Sequence, residues 1–171
     1  MDEASRPYHL VIQPQRGKDG ESLLRLWERK THRLLWERRI MWLKDWNWSK
    51  DGRGLVVLSE DAKALFWCEG ETPQCFEIRL PKFQGQPPDL DYVWNPAISP
   101  DKTRVLFRGG GSGDIDSDVG TLYCWNRKTG RCKELKDSVR KASWLSRTRI
   151  RYTQVEFLMP GERFTQGECT V

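Results

Sequence analysis

Apolar runs of about six residues, each closed by Gly, Pro, Asp or Ser, recur from one end of this chain to the other. Residues 9–14, 22–28, 33–38, 54–59, 92–98 and 104–108 read as strands, and residues 41–48 place Trp42, Trp46 and Trp48 on one face by two-residue alternation. The pattern predicts an all-β meander. Residues 22–46, rich in Leu, Arg, Trp and Glu with few breakers, also have helix propensity. That rival fails on internal comparison, because the two related segments carry Pro73 or Gly130 where this one has His32.

Three segments are copies of one another: residues 23–35 (LLRLWERKTHRLL), 64–78 (ALFWCEGETPQCFEI) and 121–135 (TLYCWNRKTGRCKEL). With Thr31, Thr72 and Thr129 superimposed, Leu24, Leu65 and Leu122 coincide, as do Leu34, Cys75 and Cys132. The periods of 41 and 57 residues signal a stacked or radial repeat. Each later copy follows a Ser-x-Asp turn, at Ser49 and Ser99, in which Asp bonds its own backbone. Ser49 to Thr72 is 23 residues and Ser99 to Thr129 is 30, so the third unit carries seven extra residues, located in the run GGGSGDIDSDVG. A fourth unit is expected to begin with strands at 139–145 and 148–152 and to fade beyond Pro160-Gly161.

The third unit carries a family likeness. Ile98-Ser99-Pro100-Asp101, Arg104-Val105-Leu106-Phe107, Leu122-Tyr123-Cys124-Trp125-Asn126 and Lys128-Thr129-Gly130 together resemble a WD-repeat or TolB-like β-propeller blade. Trp27-Glu28 and Trp125-Asn126 stand where the Trp-Asp pair of a WD repeat would be; with no Gly-His signature and Cys68 in place of Trp27, the likeness is to the TolB-like branch. The resemblance implies an array of four-stranded antiparallel blades, about 3.5 of them, in units near 8–40, 41–80, 92–136 and 138–171 of a single domain. Counted that way, the first unit lacks its inner strand and the fourth its outer strand. Open edges invite pairing, so the expectation is self-association, two copies closing a ring of about eight blades. The function implied is a non-enzymatic protein-interaction scaffold whose partners are itself and a further protein. Alternatives are a propeller accompanying a hydrolase of the prolyl-oligopeptidase type and a metal- or glycan-binding propeller.

Composition alters this little. Nine Trp among 171 residues suit layered sheets with wet edges. A net charge of +5 among 53 charged side chains (29 basic plus 24 acidic) is a mild bias, and with no Lys/Arg block nucleic acid is not an expected partner. No apolar run has the length of a membrane span, and no signal sequence is read at the start. Five cysteines without a CxxC pair point to a reduced, cytoplasmic protein in which Cys68, Cys75, Cys124 and Cys132 pack as small apolar side chains.

Chemistry, if any, is expected on the two long connections, 81–91 and 109–119, which the blade pattern puts on one face, opposite the Ser-x-Asp and Thr-centred turns. That face gathers Asp89, Asp91, Ser112 and Arg108 as candidate binding residues. Asp114, Asp116 and Asp118 alternate as calcium ligands do, but Gly120 and Trp125 occupy the seventh and twelfth positions, so the bidentate Glu of an EF-hand is absent. A solvated Gly/Asp loop needs no ion and is the favoured reading of the run, and no other cofactor is expected. The sequence GGGSG lacks a following helix and the Gly-Lys-Ser/Thr of a phosphate loop. His9 and His32 assemble neither a triad nor a zinc site. Arg147, Arg149 and Arg151 alternate on one strand, either as a solvated edge or as a phosphate-contacting stripe.

Overall fold

The computed structural model describes residues 5–15, 19–59, 63–77, 92–110, 119–158 and 161–171. Strands β1 (Tyr8–Pro14), β2 (Glu21–Glu28) and β3 (Arg33–Met41) form a three-stranded antiparallel sheet in chain order. A second sheet follows in β4 (Leu43–Trp48), β5 (Gly54–Ser59), β6 (Lys63–Cys68) and β7 (Gln74–Glu77). The third runs through β8 (Tyr92–Ile98), β9 (Arg104–Gly110), β10 (Gly120–Asn126), β11 (Cys132–Trp144), β12 (Arg149–Leu158) and β13 (Gly161–Thr170).

This last sheet folds back on itself. Residues 132–139 of β11 pair with β10, ending at Val139↔Gly120, whereas residues 139–144 pair with β12, from Val139↔Gln154 to Trp144↔Ile150. Between the two parts Ser138 adopts φ +55°, left-handed backbone that bends the strand. Val139 and Ile150, both fully buried, consequently pack on Leu106, Leu122 and Cys124 of the same sheet. The fourth unit expected at residues 138–171 is thus continuous with the third through β11 and still forms its own layer.

Four layers enclose three cores. Tyr8, Leu24, Leu26 and Trp36 of the first layer meet Trp48, Leu55, Val57 and Leu65 of the second. Val56, Leu58, Phe66 and Cys68 meet Val93, Ile98, Val105 and Phe107 of the third. All six residues of β5 are buried because its alternation feeds both cores, Leu55 and Val57 to one side and Val56 and Leu58 to the other. β9 does the same, with Phe107 facing the second layer and Leu106 the fourth. Each such Leu, Val or Phe contributes about 1.5–3 kcal/mol by leaving water.

The Ser-x-Asp turns close as read. Ser49 Oγ donates to Asp51 Oδ1 at 2.6 Å and Ser99 Oγ to Asp101 Oδ1 at 2.7 Å, both serines being buried. In the fourth layer Ser146 Oγ takes over this work, accepting from the backbone N–H of Arg149 at 3.1 Å.

Three expectations need correction. Trp42, Trp46 and Trp48 do not share a face of one strand. Trp42 sits between β3 and β4 at φ +49°, with a register shift between Leu43 and Asp45, and only Trp48 is buried. Cys75 is exposed and so does not pack in a core, unlike Cys68 and Cys124. Finally, the chain does not fade after Gly161: residues 161–170 pair along the whole of β12, from Leu158↔Gly161 to Arg149↔Thr170.

Candidate functional site

The turn face is knitted together across layers. Tyr8 Oη donates to Glu69 Oε1, Lys102 Nζ bridges to Asp51 Oδ2 at 2.7 Å, and Arg127 pairs with Glu71 while stacking its guanidinium 5.0 Å over Phe66. Burial tends to raise the carboxyl pKa of Asp51, but bonds from Lys102, Ser49 and the Arg53 N–H prevail and hold it at about 2. The cleft between these turns, about 570 Å³, is lined by both signs of charge, with Arg127 and Glu71 paired across it. Its one thiol, Cys68, is pushed up to about 11, by burial foremost, and is a poor nucleophile there.

Of the residues expected to bind on the opposite face, Asp89, Asp91, Ser112, Asp114, Asp116 and Asp118 lie outside the described residues. Arg108 is described and is buried at 6% exposure. Its Nη1 donates to the carbonyls of Val139, at 3.4 Å, and Arg140, and its guanidinium lies 5.5 Å over Trp94. It therefore ties the third layer to the bend of β11. A cleft of about 490 Å³ opens beside it, where Arg140, Lys141 and Arg151 join it, with Leu106 and Leu122 as floor. Arg140 reaches Glu162 at 3.1 Å, and Arg149 and Arg151 share Glu168 at 2.5 and 3.1 Å. Arg149 and Arg151 of the arginine stripe are thus held by one shared carboxylate. Among the described residues no group of three His, Cys, Asp or Glu side chains is placed to hold a metal ion, and His9 stacks on Trp27 with ring centroids 6.5 Å apart.

The ends of the stack differ from its middle. Val11, Leu34, Met41, Trp42 and Trp46 are exposed at the first-layer end; Leu145, Phe157, Leu158 and Phe164 are exposed on the fourth layer. None of the large apolar side chains exposed among the described residues lies between the second and third layers. The remainder of both outer faces is charged, with Arg25–Glu37 at 2.6 Å on the first layer and Arg163–Glu156 at 3.9 Å on the fourth.

Repeat positions explain the exposure of Trp46. Aligning Ser49 with Ser99 sets Trp46 against Pro96. Pro96 is buried, and its carbonyl accepts from Asn47 Nδ2 of β4 at 2.9 Å, because β4 lies alongside β8. The Asn95 N–H likewise donates to Asp45 Oδ2 at 2.6 Å, and Trp144 Nε1 donates to the Ala97 carbonyl at 2.9 Å from the other side. Toward the first layer, β1 is the edge strand of its sheet, and Trp46 is 44% exposed. The sequence held a signal for this, a first unit without an inner strand, but did not say which side chains would be bare.

No protein-family model matches the chain, and no curated protein matches its sequence significantly. Solved structures do match by fold. The tricorn protease superimposes at a TM-score of 0.56 and 9% identity over 95% of this chain and 16% of its own. The β-propeller domain of the Trilobed protease from Pyrococcus furiosus gives 0.56 and 10% over 95% of this chain and 52% of that one. For the Swd1 β-propeller domain of Myceliophteria thermophila the values are 0.52 and 15%, over 96% and 50%. The chain thus spans about half the length of the two propeller domains. Likeness at this level of identity carries the fold alone, and the fold is that of stacked β-propeller blades.

Proposed function

We propose that this protein is a non-enzymatic interaction scaffold of the β-propeller type that associates with further copies of itself through the two ends of its stack. One observation supports the reading above the others: among the described residues, exposed large apolar side chains gather toward both ends of the stack, Trp46 of β4 being the one that stands on a middle layer. Apolar surface at opposite ends of one chain is what a head-to-tail contact buries. The charged remainder of each outer face resembles the capping layer of a repeat array, so association runs through the apolar parts and the open strand edges.

Light scattering coupled to size exclusion tests this over about two decades of concentration. The expected mass rises from 20.1 kDa to twice that value or more. A mass that stays at 20.1 kDa throughout sinks the reading. The hydrolase alternative draws on the protease propellers among the similar structures, and it requires a catalytic centre outside these residues.

A further inference from the structure

We infer that the cleft beside Arg108 is a binding site for a small organic phosphate, whose phosphate is held by the cations of β9, β11 and β12 and whose organic part lies on the leucine floor. The inference is independent of self-association. Four of the eleven residues lining the cleft are cations, Arg108, Arg140, Lys141 and Arg151, and none is a carboxylate. In a chain with 29 basic and 24 acidic side chains, such a one-signed lining departs from the average.

Strand irregularity brings these groups together. Arg140 and Lys141 are neighbours on β11, and in a regular strand their side chains point to opposite faces. Here Val139↔Gln154 is followed directly by Lys141↔Thr153, so β11 spends one extra residue, Arg140, against β12. Bulges of this kind re-aim side chains and are frequent beside functional sites. Past the bulge Lys141 stands opposite Thr153 and Ser143 opposite Arg151, and directly opposed residues share a face. Two cations and two hydroxyls therefore form one patch, and all four residues border the cleft. From the third layer Arg108 adds a guanidinium at 6% exposure, charged at any working pH.

The carboxylates that bond these cations do not line the cleft. Glu162 serves Arg140, and Glu168 is divided between Arg149 and Arg151. Surface pairs of this kind are weak and compete little with a dianion. Guanidinium forks grip phosphate oxygens two at a time, and the hydroxyls of Ser143 and Thr153 are further donors. Leu106 and Leu122, with Tyr152 at the wall, offer apolar surface to the rest of the ligand, and about 490 Å³ is the size of a small-molecule site.

Phenyl phosphate is the probe, titrated calorimetrically into the full chain at one protein concentration, with inorganic phosphate and phenol for comparison. Removing Arg108 endangers the fold, because it ties the third layer to β11. The variants are therefore Lys141→Ala and Arg151→Ala, with Arg33→Ala on the first layer as the control for overall charge, and matching circular dichroism melts verify all three. Phenyl phosphate is expected to bind more tightly than inorganic phosphate, and phenol not to bind. Lys141→Ala and Arg151→Ala are each expected to weaken phenyl phosphate by about tenfold, the loss of one charge-assisted hydrogen bond, with Arg33→Ala unchanged. A wild type that ignores millimolar phenyl phosphate overturns the site, as does binding that neither cleft variant weakens. Equal weakening in all three variants also overturns it, by assigning the attraction to diffuse charge. Inorganic phosphate bound as tightly as phenyl phosphate overturns the role of the leucine floor and with it the organic ligand.

Discussion

At the scale of single residues, the turn aspartates are the most informative. Asp51 takes hydrogen bonds from Ser49 Oγ at 2.6 Å and from the Arg53 N–H at 3.0 Å, and it pairs with Lys102 of the next layer at 2.7 Å. These partners favour the ionised form and hold its pKa at about 2, against an ordinary value of 3.8. A carboxyl depressed in the folded state adds stability that is fully present above the unfolded pKa and disappears as pH falls through the folded one. Asp51→Asn is therefore expected to lower stability at neutral pH and to match the wild type below about pH 2. Urea melts at several pH values measure the convergence. Because the carboxylate is half exposed, at 49%, solvent screens it and the neutral-pH loss is small. A pH-independent difference between the two proteins would assign the loss to the turn's geometry instead of its charge.

At the scale of elements, the strand pattern was legible because its cause is local. Two-residue alternation in β5 and β9, Gly130 at φ +68° and His32 at φ +54° in equivalent turns, and the Ser-x-Asp closures each follow from residues a few positions apart. The long β11 was not legible, since its two halves are fixed by different partners, β10 and β12, far apart in sequence. The exposure of Trp46 depends on which strand stands beside β4, and that of Cys75 on its place in the outer strand β7, facts of layer order that no local pattern carries. Most of the expected binding residues lie on connections outside the described residues, and the one that does not, Arg108, is held by backbone carbonyls. The bend in β11 makes its own prediction. Ser138 at φ +55° is strained for a residue with a Cβ, more so for a β-branched one, while glycine is at ease there. Ser138→Val is expected to destabilise by about 1–3 kcal/mol and Ser138→Gly to be neutral or slightly stabilising. Denaturant melts that rank the two variants equally would refute strain at this bend.

At the scale of the whole molecule, four layers joined by three separate cores behave as a short linear array. Stability in such arrays is close to a sum of layer terms and nearest-neighbour interfaces, so damage at one interface loosens the layer it holds before the rest. The first layer is retained by a single core, in which Leu26 is fully buried, and the fourth by another, in which Ile150 is fully buried. Truncating either side chain to alanine removes about 2–5 kcal/mol from its interface. Leu26→Ala is expected to raise amide hydrogen exchange in residues 8–41 while residues 149–170 keep their protection, and Ile150→Ala to do the reverse. Mass-spectrometric exchange resolves the two regions. Uniform loss of protection in both variants would instead describe one cooperative unit, in which the third layer transmits instability as readily as it transmits contact.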